Sequence, residues 1–217
     1  MSVTSSREMV QRLSNYRSVL CKLKALGFVK VFSDNLGDAL GISSSQVRKD
    51  FSLFDLTGNK KGGYQVDDLI GKLNVILGKN TIQKIIVVGC GKIGTAMMNY
   101  NGFSRESIKV AAGFDTDPTV INPRGLIPIY DLSDLQEFIK REEVKIAIIT
   151  TPESGATRVQ DLLLESGIQG ILNFTPVKLK GSDSCVVHNV NIEQEIENLF
   201  YFVNEMKDGS PKNPNAE

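Results

Sequence analysis

Gly89, Gly91 and Gly94 stand at G-x-G-x-x-G spacing in the stretch Gly89-Cys90-Gly91-Lys92-Ile93-Gly94. Glycines so placed could cradle a pyrophosphate. The first permits a tight turn, the second lets phosphates approach the backbone, and the third lets a helix pack closely on a strand. The freed N–H groups of the helix start then face the anion. The pattern alone is weak, so its neighbours decide. Ahead of it, Ile85-Ile86-Val87-Val88 is β-branched throughout and reads as a strand buried on both faces. Behind it, Thr95-Ala96-Met97-Met98 can carry a helix. The next apolar segment, Ile108 to Phe114, ends in Asp115-Thr116-Asp117-Pro118. Asp115 lies 21 residues beyond Gly94, where a dinucleotide site places the acid that accepts from an adenosine ribose hydroxyl. An acid there favours NAD(H), because a 2′-phosphate would be repelled. The bland alternative is an ordinary βα turn with a solvated Asp.

The elements that must position these residues continue a strand-helix alternation: strands at Ile108–Phe114, Ile127–Tyr130, Val144–Thr150, Gly170–Phe174 and Val186–Val190, with helices over Ser133–Arg141 and from Thr151-Pro152 to near Gly167. Ser133 is read as the cap of the helix running to Arg141. Such alternation predicts a Rossmann-type, doubly wound parallel sheet. Thr150-Thr151-Pro152 and Asn173 then fall at carboxyl ends of strands, where ligands bind in such sheets. Tyr100, just past the dinucleotide helix, is a candidate gate for the pocket. A last helix, Ile192 to Met206, carries Ile196, Leu199, Phe200, Phe202 and Val203, and that much apolar surface predicts a partner subunit.

Residues 1–80 have a different character. They contain 12 Lys/Arg against 7 Asp/Glu, whereas the remainder has 13 against 18. A basic front half suggests a polyanion partner. An amphipathic helix over 5–26, with Ser5 or Ser6 as its cap, ends at Gly27. A second helix, capped by Ser33, closes at Gly41, and a third starts at Ser43-Ser44-Ser45. Helix, Gly-containing turn and helix at this length predict a helix-turn-helix. The third helix would then present Ser44, Ser45, Gln46, Arg48 and Lys49 to DNA. Arg can pair with guanine, Gln can read adenine, and Ser or Lys can hold phosphates. Lys60 and Lys61, in a glycine-rich turn closed by Gly63-Tyr64, look like the wing of a winged helix. A further helix over Val66–Leu77, capped by Asp67 or Asp68, precedes a boundary near Gly78-Lys79-Asn80.

Cys21, Cys90 and Cys185 are scattered and odd in number. That argues against a disulfide framework or zinc site and suits a reducing cytoplasm. Cys90, beside a helix start that would lower its pKa, is a candidate redox thiol or simply a small residue that fits the loop. No apolar run approaches the ~20 residues of a membrane span.

These parts together resemble the Rex family, bacterial redox-sensing transcriptional repressors. The resemblance is carried by Ser45-Gln46-Val47-Arg48-Lys49-Asp50, Gly63-Tyr64, Val88 to Gly94, Tyr100-x-Gly102-Phe103, Phe114 to Pro118, Gly167 to Pro176 and Val187-x-Asn189-Val190. It implies a winged-helix domain (1–79), a Rossmann NAD(H)-binding domain (80–190), a swapped dimerisation helix (191–207) and a disordered tail (208–217). The implied protein is a cytoplasmic homodimer that binds palindromic double-stranded operators when NADH is low and releases them when NADH binds. The family commonly follows Asn-Val with an acid and Phe, where this chain has Asn191-Ile192. The Arg expected on the first helix is displaced, with Arg17 one place early and Ser18 at the matching position, and Lys60 stands where the wing has Arg. Weaker discrimination by NADH is therefore expected, with a regulator of altered response as the alternative. An NAD-dependent oxidoreductase is the rival class, and it would need an acid or base beside the nicotinamide. The lone histidine, His188, lies in an apolar segment, and no Tyr-x-x-x-Lys pair is present.

Overall fold

In a computed structural model, residues 7–58 and 62–207 are described. Ser5 and Ser6, the wing lysines Lys60 and Lys61, and the tail 208–217 lie outside them. The chain divides between Thr81 and Ile82 into two units, each with its own core.

In the first unit α1 (Arg7–Ala25) buries Leu13, Tyr16 and Leu20 at helical spacing. Strand β1 (Lys30–Val31), α2 (Ser33–Leu40), α3 (Ser44–Leu53), β2 (Tyr64–Gln65) and α4 (Val66–Ile76) follow. Their core joins Leu36, Val47, Phe51, Val66, Leu69 and Leu73 to the buried face of α1. Gly37 lets α2 and α3 meet closely, since a Cβ there would lie 2.6 Å from the Ile42 carbonyl oxygen. β1 and β2 pair antiparallel, Val31 opposite Tyr64, which makes the base of the wing.

Three helix caps differ from expectation. Ser33 is already inside α2. Phe32 holds the cap position, its N–H donating to Asn35 Oδ1 at 3.0 Å. Gln65, not Asp67 or Asp68, precedes α4, and the two acids lie in its first turn, where they favour the helix dipole. They pair instead with Lys24 and Lys72. Ser133 donates to Asp131, which caps a 3₁₀ turn over Leu132–Asp134. Only Asp131 caps through its side chain, whereas α2 and α4 start after Phe32 and Gln65 without a side-chain cap, and the sequence pattern does not mark such starts.

The second unit is a six-stranded parallel sheet: β3 (Gln83–Val88), β4 (Ile108–Asp115), β5 (Ile129–Asp131), β6 (Ile146–Ile149), β7 (Gly170–Asn173) and β8 (Val186–Asn189). Strand order is β5-β4-β3-β6-β7-β8. Helices α5 (Lys92–Met98), α6 (Gly102–Arg105), α7 (Leu135–Glu142) and α8 (Glu153–Glu165) connect strands, and α9 (Ile192–Lys207) ends the unit. The alternation lapses twice, since no helix joins β4 to β5 or β7 to β8.

Both sheet faces are covered, as the β-branched run predicts. Ile86 and Val88 enter one apolar cluster with Phe138 and Leu163, while Ile85 and Val87 enter another with Met98. β4 changes face in mid-strand. Val110 sits opposite Ile85 but Ala112 sits opposite Ile86, so Ala111 is an extra residue that reverses the alternation. The bulge sends Ala112 and Phe114 into the first cluster and Val110 into the second. Asp115 thereby reaches the strand end with its side chain toward the glycine loop. Among the described residues no helix is long and apolar enough to cross a membrane.

Candidate functional site

The sheet reverses its winding between β3 and β6, and at the carboxyl ends of β3, β4 and β6 lies a cleft of about 1210 Å³. A topological switch point is where open α/β sheets bind ligands. Gly89, Gly91, Lys92, Ile93, Asp115, Thr116, Asp117, Thr150, Thr151 and Pro152 line it.

The three glycines do different work. Gly89 has φ +92°, and a Cβ there would come within 2.7 Å of the Thr151 nitrogen. A Cβ on Gly94 would collide with the Gly89 carbonyl oxygen, so Gly94 is needed for α5 to sit on the end of β3. Around Gly91 a Cβ would meet nothing. Packing therefore explains Gly89 and Gly94 but not Gly91, whose open side faces the cleft. Thr150 Oγ1 donates to the Gly89 carbonyl at 2.6 Å and ties β6 to the loop.

Asp115 closes the loop from the other side. Its Oδ2 accepts from the Cys90 N–H at 2.6 Å, and its Oδ1 accepts from the N–H groups of Thr116 and Asp117 at 2.7 and 3.0 Å. Three backbone donors fix the carboxylate and leave about one of its roughly four lone-pair sites for a further hydroxyl. Asp117 is occupied by Thr119, whose bonds hold its carboxyl below the usual range. Among the described residues, Thr151 Oγ1 is a buried side-chain oxygen with no hydrogen-bond partner. A hydroxyl so placed in the cleft wall is free to bond a ligand or a water.

Four proposed ligand contacts lie elsewhere. Cys90 is 2 % exposed, and its Sγ points at the Phe114 carbonyl beneath the loop. Burial, helped by the Asp115 charge, pushes the thiol up to about 11, the reverse of a redox-active cysteine. Gly94 lies under the loop. Asn173 is fully buried and tied to Val177, Thr175 and Asn189, so it holds the β7–β8 connection. Tyr100 packs edge-on against Phe103 at 5.1 Å and lines a separate hollow with Ile82 and Leu126. Conversely, Asp131, Ser133, Gln136 and Arg158 also line the cleft. Asp131 could have been found as the carboxyl end of a strand. Arg158, on the helix after Thr151-Pro152, carried no motif.

In the first unit, Ser43 caps α3 by accepting from the Gln46 N–H at 3.1 Å, and the first turns of the helix bear Ser44, Ser45, Gln46, Arg48 and Lys49. Arg48 rests on the hydroxyls of Ser33 and Ser45, at 3.0 and 3.2 Å. Tyr64 is half-buried with its ring edge-on to Phe51 at 5.1 Å, so it anchors the wing. The sequence reading missed the group below Gln46. Asp50, wholly buried, accepts from Arg12, Tyr16 and Gln46. Burial raises its carboxyl, but these three donors outweigh it and hold the group below its ordinary range.

Two family models match the chain, the "CoA binding domain" over residues 80–177 and the "Putative DNA-binding protein N-terminus" over residues 6–52. The redox-sensing transcriptional repressor Rex of Lactobacillus gasseri is 33% identical over 203 residues, covering 93% of this chain and 95% of the relative. The chain belongs to the Rex family. Rex of Oenococcus oeni is 36% identical over 203 residues, with 91% and 92% covered. Among solved structures, the Rex-family repressor RSP in complex with β-NAD+ and operator DNA superposes with a TM-score of 0.88 at 28% identity, covering 95% of each chain. RSP in complex with β-NADH gives 0.79, covering 95% of this chain and 97% of that one.

Proposed function

We propose that this Rex-family chain is a DNA-binding transcriptional repressor that senses the ratio of NADH to NAD+. One observation carries the reading: a helix-turn-helix with a wing base and a glycine-loop cleft at a sheet switch point occur in one chain, over the whole length matched by Rex repressors. In this reading residues 1–79 hold the operator and 80–190 hold the dinucleotide. Ser44, Ser45, Gln46, Arg48 and Lys49 meet the major groove, with Lys60 and Lys61 on adjacent phosphates and Tyr64 anchoring the wing. Around the dinucleotide, Gly91, Lys92 and Ile93 face the pyrophosphate, Asp115 takes a ribose hydroxyl, and Thr151 donates to the nicotinamide end. Bound there, the nicotinamide supplies the redox state that is read; the protein transfers no hydride.

A homodimer is part of the proposal. α9 leaves Ile192, Ile196, Leu199, Phe200 and Val203 between 47 and 65 % exposed, a face that a second subunit would cover. Coenzyme A shares its adenosine and pyrophosphate with NAD(H) and is the rival ligand that the family model raises. Its extra phosphate would meet Asp115, Asp117 and Asp131, which favours the dinucleotide.

The test is fluorescence anisotropy of the full chain on a palindromic operator at fixed salt, titrated with NADH, NAD+ and coenzyme A. Release by NADH and not by the others is expected; DNA binding indifferent to all three would defeat the sensing role. Asn191 bears on the size of the response. Its Oδ1 accepts from the Gln194 N–H at 3.0 Å and caps α9, which an Asp would do equally well. Ser18 is exposed on α1. Asn191→Asp combined with Ser18→Arg restores the acid and Arg of the family pattern without disturbing the cap. The pair should strengthen NADH-dependent release by about 1 kcal/mol of coupling, roughly fivefold, and an unchanged NADH midpoint would count against it.

A further inference from the structure

Asp50 lies one helical turn after Gln46, on the helix whose first residues are proposed to meet DNA, yet it is wholly buried and cannot touch a base. Its carboxylate accepts from Arg12 Nε at 2.7 Å, Arg12 Nη2 at 3.0 Å, Tyr16 Oη at 2.9 Å and Gln46 Nε2 at 2.7 Å. Arg12 and Tyr16 belong to α1, so the carboxylate is anchored from a second helix and cannot follow Gln46 if that side chain turns. An ionised carboxylate only accepts hydrogen bonds, so the Gln46 amide has to face it with its NH₂ group. The carbonyl Oε1 and the second N–H of the amide are then left for an outside partner. A glutamine without such a neighbour can turn its amide over and offer either end.

We infer that Asp50 is a positioning residue for base reading: it fixes the Gln46 amide with the carbonyl outward and so commits Gln46 to adenine over guanine. Adenine shows a donor beside an acceptor in the major groove, matching an amide carbonyl and N–H. Guanine shows two acceptors, and the fixed carbonyl would oppose one of them. The inference rests on the DNA-binding reading above.

The experiment begins with the full wild-type chain selecting a duplex from a randomised palindromic library. Affinities at fixed salt are then measured for wild type, Gln46→Ala, Asp50→Asn and the double variant, on duplexes with each half-site A·T pair replaced in turn by G·C. Wild type should favour A by about tenfold or more at one position. Asp50→Asn keeps an acceptor for Arg12 and Tyr16 but lets the Gln46 amide face it either way. It should lose the preference at that position alone, and the double variant should be no worse than Gln46→Ala. Uniform weakening on every duplex, or a preference that survives Asp50→Asn, overturns the inference. Should Asp50→Asn fail to fold, the wild-type side-chain amide spectrum decides: one Gln46 amide proton should exchange slowly with solvent, and equal exchange of both overturns it. A wild-type chain that selects no duplex removes the DNA-binding reading and this inference with it.

Discussion

Gly91→Ala leaves both units folded and the operator bound, and NADH no longer releases the DNA at concentrations that act on wild type. Gly91 has φ −65°, so alanine needs no left-handed backbone, and its Cβ would touch no protein atom. The methyl would stand where the phosphates must approach. Each charge-assisted hydrogen bond lost is worth about 1.5–3 kcal/mol, roughly tenfold or more in affinity. Gly94→Ala should fail in the opposite way, because its Cβ collides with the Gly89 carbonyl oxygen, an atom of the backbone that cannot swing aside. Overpacking of that kind costs about 1–3 kcal/mol or more and acts on stability first. Calorimetric titration with NADH beside thermal melts separates the two. Gly91→Ala should melt as wild type and bind NADH weakly, and Gly94→Ala should melt early. A Gly91→Ala protein with unchanged NADH affinity would place the pyrophosphate elsewhere.

The difference between these glycines shows how far sequence reaches. Spacing identified the loop, because a β-branched run, a glycine turn and an acid 21 residues later are local features. It could not distinguish Gly91 from Gly94, since that depends on what lies across the loop from each. Nor could it see that Ala111 is a bulge, which decides the direction of Asp115. The parallel sheet was legible from its apolar runs, and so were the two helix-free connections, because no helical period runs between Phe114 and Ile127 or between Phe174 and Val186. Asn173 shows what position alone leaves out. Its position at a strand end suggested a ligand, whereas it is buried and makes four hydrogen bonds to Val177, Thr175 and Asn189 that hold the β7–β8 connection.

Asp50 is the group that sequence placed only within a motif, and it supports the second large prediction. Arg12→Ala should destabilise the first unit by about 3 kcal/mol at neutral pH. Removing one partner of a fully buried ion pair costs about 3–5 kcal/mol, and the low end applies because the Arg12 side chain is 28% exposed and Tyr16 and Gln46 still donate to the carboxylate. The pH dependence distinguishes this cause from lost packing. In wild type the folded Asp50 carboxyl lies below its ordinary range, held there by Arg12, Tyr16 and Gln46 against burial. Its contribution is therefore fully present above the unfolded value of about 3.9 and is lost as pH falls through the lower folded value. Without Arg12, burial is opposed only by the two neutral donors and the carboxyl moves upward. As pH falls, the folded variant therefore takes up this proton before the folded wild type does, and the stability gap narrows. Denaturant midpoints for wild type and Arg12→Ala should differ most near pH 7 and converge toward pH 4. A gap that stays constant over that range would assign the loss to the aliphatic stem of Arg12 and leave the ion pair without a measurable share.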